Sequence, residues 1–338
     1  MSRALACLLA ATVGCGGAPV EPFGTERAVA SSAVTKPSAA AEAGSPAPLE
    51  RVRRNVARSE AAWVARNPRD LLALYTIDAS IVSFGAEGQR VERPEEMVRG
   101  MTGFFRGLSE ARMRTARVVT ADDVATVEWV MIGTTREGRV LGVPALSVMW
   151  FDAAGLVVRE HVFVDEQTTA MQLGDPGARG RPPVALPSST VWAPSAGLGD
   201  EIAVEIARSF YRALGDKDIQ ALGQLFADRS TYRDMSRPED VTGREAIERD
   251  FQGFASAFPD LSVELEVVVG ASGHAAVTGT WSGTMTGTLG AVASTNKRGA
   301  VHFADVFEIV DGRIASLTSY TNGAELAYAF FAQEQTRK

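Results

Sequence analysis

One strand-like segment in the first half of the chain carries the residues best suited to proton chemistry. Val157, Arg159, His161, Phe163 and Asp165 alternate along it and so share one face. A carboxylate partly buried among apolar side chains has its pKa raised, which suits proton abstraction next to a carbonyl. An imidazole on the same face could polarise the substrate. His161 and Asp165 are separated by roughly 13 Å of extended strand, so they can flank one ligand but cannot form a hydrogen-bonded dyad. Asp165 has a second reading. It stands just before a final short helix, where Asp is a favoured N-cap worth about 1 kcal/mol. His161 reads first as a pocket-wall or surface histidine, with the catalytic role as the alternative. No nucleophile motif or phosphate loop is present. His161, His274 and His302 are scattered, so neither a metal nor a cofactor is expected.

The second half of the chain offers an internal comparison. At a shift of about 150 residues, Gly103-Phe104 falls on Gly253-Phe254, Val118-Val119 on Val268-Val269, and Gly133-Thr134 on Gly283-Thr284. Further on the shift grows: Gly155 falls on Gly312, Phe163 on Tyr320, Asp165 on Asn322. The extra residues fit the Gly/Thr/Ala-rich segment around Gly287–Gly299, where a loop lengthens cheaply. A period this long is a whole domain, not a solenoid unit. The chemistry-bearing positions differ between copies: Asn322 replaces Asp165, Thr318 replaces His161, and Asp305 falls on Val148. Asn cannot exchange a proton at neutral pH, so a site using Asp165 is confined to the first copy. Asn322 with Glu325 makes a capping-box-like pattern, so capping accounts for both copies.

The same order of elements must position these residues in each copy. An amphipathic helix carries Val52, Val56, Trp63 and Val64, or Ile202, Ile206, Phe210 and Leu214. A short second helix follows at Arg69–Tyr75 or Asp218–Phe226, then a third at Glu95–Leu108 or Arg244–Ala257. The rest of each copy alternates as strands between turn signals such as Asp152–Gly155 and Asp311-Gly312. Helices first and a meander after is α+β order. The predicted domains are 49–174 and 199–338, joined by a Pro-rich linker at 175–198.

In the second copy, Phe210-Tyr211 with Gly215-Asp216 and Asp218, Gly243, Ala257–Leu261, Gly283–Gly287 and Asp311–Ile314 follow in an order that resembles the SnoaL-like polyketide cyclase (ester cyclase) branch of the nuclear transport factor 2-like superfamily. The first copy keeps Gly133-Thr134, Gly155 and the tail Met171–Gly174. The resemblance implies two tandem cone-shaped domains, each with helices packed on a curved antiparallel sheet around a ligand-holding hollow. It also implies an acid/base carboxylate at the position of Asp165, on a strand face that lines the hollow. The family usually carries Glu at the position of Arg159 and Trp at that of His161. Both are replaced here, and Met285 stands where a histidine is often seen. Family members include cyclases, steroid isomerases and dehydratases, so the fold does not give the function.

Other expected ligand-binding residues are Trp129, Phe163, Tyr232, Asp234, Trp281, Asp305, Tyr320 and Asn322. Trp129 and Trp281 read equally as core aromatics, and Tyr232 and Asp234 as loop surface. Asp305 shares a face with Phe303, Phe307 and Ile309 and is the second copy's candidate pocket carboxylate.

The net charge of −7 argues against a nucleic-acid partner. Both cysteines, Cys7 and Cys15, lie at the start of the chain. The apolar run Ala4–Val13 is too short to span a bilayer and fits a secretory signal. Thr12-Val13-Gly14-Cys15 resembles a bacterial lipoprotein processing site, with Cys15 acylated; an ordinary signal peptide is the alternative. Residues 16–48 read as a flexible tether. The expectation is therefore an extracytoplasmic protein, lipid-anchored to the cell envelope, at the outer membrane if the cell is Gram-negative. Its two domains would form an intramolecular pseudo-dimer. Its function would be to bind a small apolar or amphipathic ligand, or a protein partner, without turnover. The alternatives are a cyclase, isomerase or hydrolyase using Asp165 and His161 in the first domain, and a scaffold with filled pockets.

Overall fold

The computed structural model describes residues 48–195 and 198–331. The signal-like segment and Cys15 lie outside them, as does the tether except for its last residue. Helix α1 (Pro48–Ala65) turns Val52, Val56, Ala62 and Trp63 inward. It stops where Arg66 takes a positive φ of 51°, with Asn67 N–H bonded back to the Ala62 carbonyl. A 3-10 turn (Pro68–Leu74) leads to β1 (Tyr75–Gly85), β2 (Gly88–Glu92) and α2 (Pro94–Arg106). Strands β3 (Leu108–Ala121), β4 (Val124–Thr135), β5 (Val140–Phe151) and β6 (Val157–Val164) form the meander, closed by α3 (Glu166–Gln172). After β7 (Val191–Pro194) the plan repeats with α4 (Leu198–Asp216), α5 (Ile219–Gln224), β8 (Phe226–Asp234), β9 (Val241–Thr242) and α6 (Arg244–Ala257). Strands β10 (Ser262–Ala271), β11 (His274–Thr284), β12 (Arg298–Val310) and β13 (Arg313–Thr321) and helix α7 (Gly323–Phe331) complete it. Two tandem α+β domains result.

The sheets run β2-β1-β6-β5-β4-β3-β7 and β10-β11-β12-β13-β8-β9. They are mixed, not wholly antiparallel as expected. The first strand of each domain lies parallel to the last, β1 on β6 and β8 on β13. The helix and meander between them give the long connection that parallel pairing needs. Register shifts at Thr115/Arg117 and Leu265/Val267, and again at Trp150/Phe151 and Glu308/Ile309, bend the strands at matching places in both sheets. The linker also contributes to the fold. Its residues Val191–Pro194 pair in parallel with Arg117–Thr120 and extend the first sheet.

The helices cover one face of each sheet. The opposite faces meet each other. Val82, Phe84, Leu146, Val148 and Phe163 of the first domain pack in one buried apolar cluster with Val269, Ala276, Ala304, Val306 and Tyr320 of the second. Within this seam the Tyr320 hydroxyl donates to Glu128 (3.0 Å), which also pairs with Arg117 (3.2 Å). An Arg159–Glu266 ion pair links the domains, and Arg181 of the linker pairs with Asp240 of the second domain, each at 2.8 Å.

Candidate functional site

A cavity of about 210 Å3 lies in the first domain between α1, α2 and the helix-covered face of the sheet. Its wall is mostly apolar: Trp63, Leu71, Phe104, Trp129 and five methionines, Met97, Met101, Met113, Met131 and Met149. Unbranched thioethers adapt to varied shapes, so such a wall is not tailored to a single rigid outline.

A polar row crosses this wall. Tyr75, the first residue of β1, donates its hydroxyl to Glu160 Oε2 (2.5 Å) on the neighbouring β6. Trp129 Nε1–H donates to Ser147 Oγ (3.1 Å) on β5. Glu160 is buried, and burial raises its carboxyl pKa, opposed by hydrogen bonds from Tyr75 and Ser147. Burial raises Tyr75 in turn, reinforced by the Glu160 charge beside it. No ion pair to Glu160 exists among the described residues. On α1, Asn55 lines the same cavity at 4% exposure, and its Nδ2 has no hydrogen-bond partner among the described residues. An apolar hollow with a carboxyl of raised pKa can hold an apolar molecule and can exchange a proton with it.

The second domain holds rings where the first holds space. Helices α1 and α4 end in the same turn, Arg66 and Lys217 both at positive φ, which matches Ser59 to Phe210. Tyr75 stands opposite Val157 as Phe226 stands opposite Ile314. Glu160 faces Met149 across its ladder as Leu317 faces Phe307. Thus Ser59, Tyr75, Met149 and Glu160 become Phe210, Phe226, Phe307 and Leu317. The Phe210 ring lies 6.0 Å from Phe226, 5.4 Å from Phe307 and 5.3 Å from Phe251. These residues form the packed interior of that domain.

The strand face expected to line the hollow is turned the other way. Glu160, Val162 and Val164 line the cavity, while His161, Phe163 and Asp165 point into the seam. Strand β6 is covered on both faces, so alternation alone could not say which side is the pocket. His161 Nε2 accepts from Arg159 Nε–H (2.8 Å), and the ring packs edge-on against Trp150 and Phe84. Burial lowers its pKa to about 4, with help from the Arg159 charge and His302. Asp165 caps α3, accepting from Thr168 N–H (2.8 Å) and Gln167 N–H (3.3 Å). Burial raises it to about 6, against those bonds and one from Gly323.

Of the other expected ligand residues, Trp129 lines the cavity. Phe163 and Tyr320 pack in the seam. Asn322 caps α7 through Ala324 N–H (2.9 Å) and donates to the Phe84 carbonyl (2.6 Å). Tyr232 packs on Phe251 (5.1 Å), and Trp281 stacks on Phe330 (5.5 Å), both inside the second core. Asp234 turns back on Ser236, accepting from its N–H and hydroxyl. Asp305 is buried, accepts from the Tyr211 hydroxyl (2.5 Å) and is raised by burial to about 7. Its counterpart is Ser147, not Val148: Asp305 stands between Val277 and Ser319 as Ser147 stands between Val127 and Val162. Glu160, Tyr75, Ser147 and Asn55 escaped the sequence reading. A usable signal was the paired change from Tyr75 and Glu160 to Phe226 and Leu317, two polar groups exchanged together for two apolar ones.

A model described as SnoaL-like domain matches residues 56–160 and 207–317. No curated protein matches the chain. Among solved structures, a Jannaschia sp. CCS1 protein described as a SnoaL-like polyketide cyclase is 17% identical, with TM-score 0.39, over 41% of this chain and 98% of its own. TsrD from Streptomyces laurentii is 22% identical, with TM-score 0.37, over 40% and 99%. An LEH-like epoxide hydrolase from M. tuberculosis is 15% identical, with TM-score 0.32, over 38% and 88%.

Proposed function

The chain belongs, in both of its halves, to the SnoaL-like domain family, and from that premise we propose that it binds a small, mainly apolar molecule in the hollow of its first domain. The observation that carries this reading is the contrast between the copies. One hollow is open and carries Glu160, Tyr75 and Asn55; its counterpart is filled by Phe210, Phe226 and Phe307. The second domain is then the rigid half of an intramolecular pseudo-dimer. Small molecules released on denaturing the purified protein, identified by mass spectrometry, test the reading. A compound present in the wild type and missing from Ser59→Phe, which copies the second domain, supports it. Equal recovery from both proteins, or none from either, sinks it.

A second reading is favoured by the buried carboxyl in the cavity. Glu160, in place of Asp165, serves as general acid/base in a cyclisation, isomerisation or hydration next to a carbonyl. Turnover of ketosteroid-like or polyketide-ester substrates that survives Glu160→Gln removes that role. The motif Thr12-Val13-Gly14-Cys15 supports a lipid anchor holding both domains outside the cytoplasm. Metabolic labelling with an alkynyl fatty acid checks this: label retained after Cys15→Ser would rule out that cysteine as the anchor.

A further inference from the structure

Charge within the hollow narrows the class of molecule it takes. We propose that the first-domain cavity selects ligands carrying a basic nitrogen, an apolar amine whose ammonium group sits against Glu160. This rests on the reading of the hollow as a binding site.

Among the described residues, three carboxylates contribute to the cavity wall, Glu92, Glu160 and Glu166, and no lysine, arginine or histidine does. Two of the three are already held. Glu92 pairs with Arg90 (2.7 Å), and Glu166 accepts from the Ala86 N–H (3.2 Å) and feels the charge of the same Arg90. Glu160 differs. It is 5% exposed, its hydrogen bonds come from the neutral groups of Tyr75 and Ser147, and no cation among the described residues stands beside it. A buried carboxylate lacking a counter-ion is costly when ionised, and a ligand cation relieves that cost. The aromatic wall fits the same guest. Trp63 and Trp129, with ring centroids 6.1 Å apart, both line the cavity, and indole rings are the side chains that attract an ammonium group most strongly.

A second, independent feature points to a ligand. Asn55 lines the cavity at 4% exposure, and its amide donor is unpartnered among the described residues. A buried donor without an acceptor is uncommon in a finished core. An oxygen on the guest, a hydroxyl or carbonyl, would satisfy it. The preferred molecule therefore has a compact apolar body, a basic nitrogen and one nearby oxygen acceptor. An anionic guest meets three carboxylates and is rejected.

Calorimetric titration of the full chain with naphthylmethylamine, naphthylmethanol and naphthoate tests the idea at pH 7.5. The amine is expected to bind at least about tenfold more tightly than the alcohol, with the acid weakest. Glu160→Gln, which keeps the size and hydrogen bonding of the side chain, should bring amine and alcohol to equal affinity. Its far-ultraviolet circular dichroism and melting profile establish that it is folded. Alcohol binding equal to amine binding, and abolished by Ser59→Phe, would leave the hollow a ligand site and overturn the amine preference. Preferred binding of the acid would overturn it as well. Binding of none of the three would overturn the preference and count against the hollow itself. An amine preference that survives Glu160→Gln would overturn the assignment to that carboxylate.

Discussion

Asp165 and Asn322 cap each other's helices. Asp165 Oδ1 accepts the N–H of Gly323 at the start of α7 (2.8 Å), and Asn322 Oδ1 accepts the N–H of Glu166 at the start of α3 (3.3 Å). Each also caps its own helix. The difference between the copies, Asp in one and Asn in the other, has a physical reason at this junction. Two carboxylates here would be buried side by side, whereas an amide beside a carboxylate supplies the Nδ2 donor that the Phe84 carbonyl accepts.

Asn322→Asp should therefore destabilise the protein by about 2–3 kcal/mol at pH 7, through like-charge contact and the lost donor to Phe84. Adding Asp165→Asn should return part of that loss. Urea denaturation of the two single variants and the double variant gives the coupling; a purely additive result would mean that the two caps act independently.

Asp165 gives stability a specific pH dependence. Its pKa rises from 3.8 unfolded to about 6 folded, so the native state holds the proton more tightly. Its contribution is fully present below pH 4 and is lost as pH rises through 6. His161 runs the other way. Its pKa falls from 6.5 to about 4 on folding, so its contribution is present above pH 6.5 and is lost as pH falls through 4. The two partly offset each other in the wild type. Asp165→Asn removes one slope and leaves the other, so the variant should gain up to about 3 kcal/mol relative to wild type between pH 4 and 7. Stability curves that stay parallel across this range would show that the burial of Asp165 carries no titration cost.

Tyr75→Phe alone takes a hydrogen bond from buried Glu160 and should cost about 1–2 kcal/mol. Tyr75→Phe with Glu160→Leu recreates the pairing of Phe226 and Leu317. The double variant should recover the loss or exceed wild-type stability, because an apolar pair replaces a buried charge. Thermal or urea denaturation reads this directly. A double variant less stable than either single would mean that the polar row supports the fold.

At the seam, Tyr320→Phe leaves Glu128 with Arg117 and without its hydroxyl donor. The expected loss is about 1–2 kcal/mol, with both domains still folded by circular dichroism. No change in stability would show that this bond is replaced by water.

The fold was largely legible in the sequence because the two copies repeat the same caps, turns and apolar spacing. The turn after α1, with Arg66 and Lys217 both at positive φ, and the glycines at 155 and 312 mark matching places. The site was less legible. Alternation identifies a pocket face when the other face meets water. On β6 the second face is buried by the other domain, so His161 and Phe163 carry as strong an inward signal as Glu160 and Val162. Asp305 was matched to Val148 because the inserted loop before β12 and the tighter turn after it displace the two strands by different amounts. Only the ladder shows that Ser147 is the counterpart.

Strand β7 fixes the far end of the linker on the first sheet, so few residues separate Pro194 from the start of α4 at Leu198. Ser195 and Ser272 then tie this corner down, through Asp200 and the Pro194 carbonyl. So short a leash keeps each second domain at a very high local concentration beside its own first domain. A neighbouring molecule's half competes for the seam only at concentrations that approach this local one. Every open hollow therefore travels with one filled partner, in fixed one-to-one proportion.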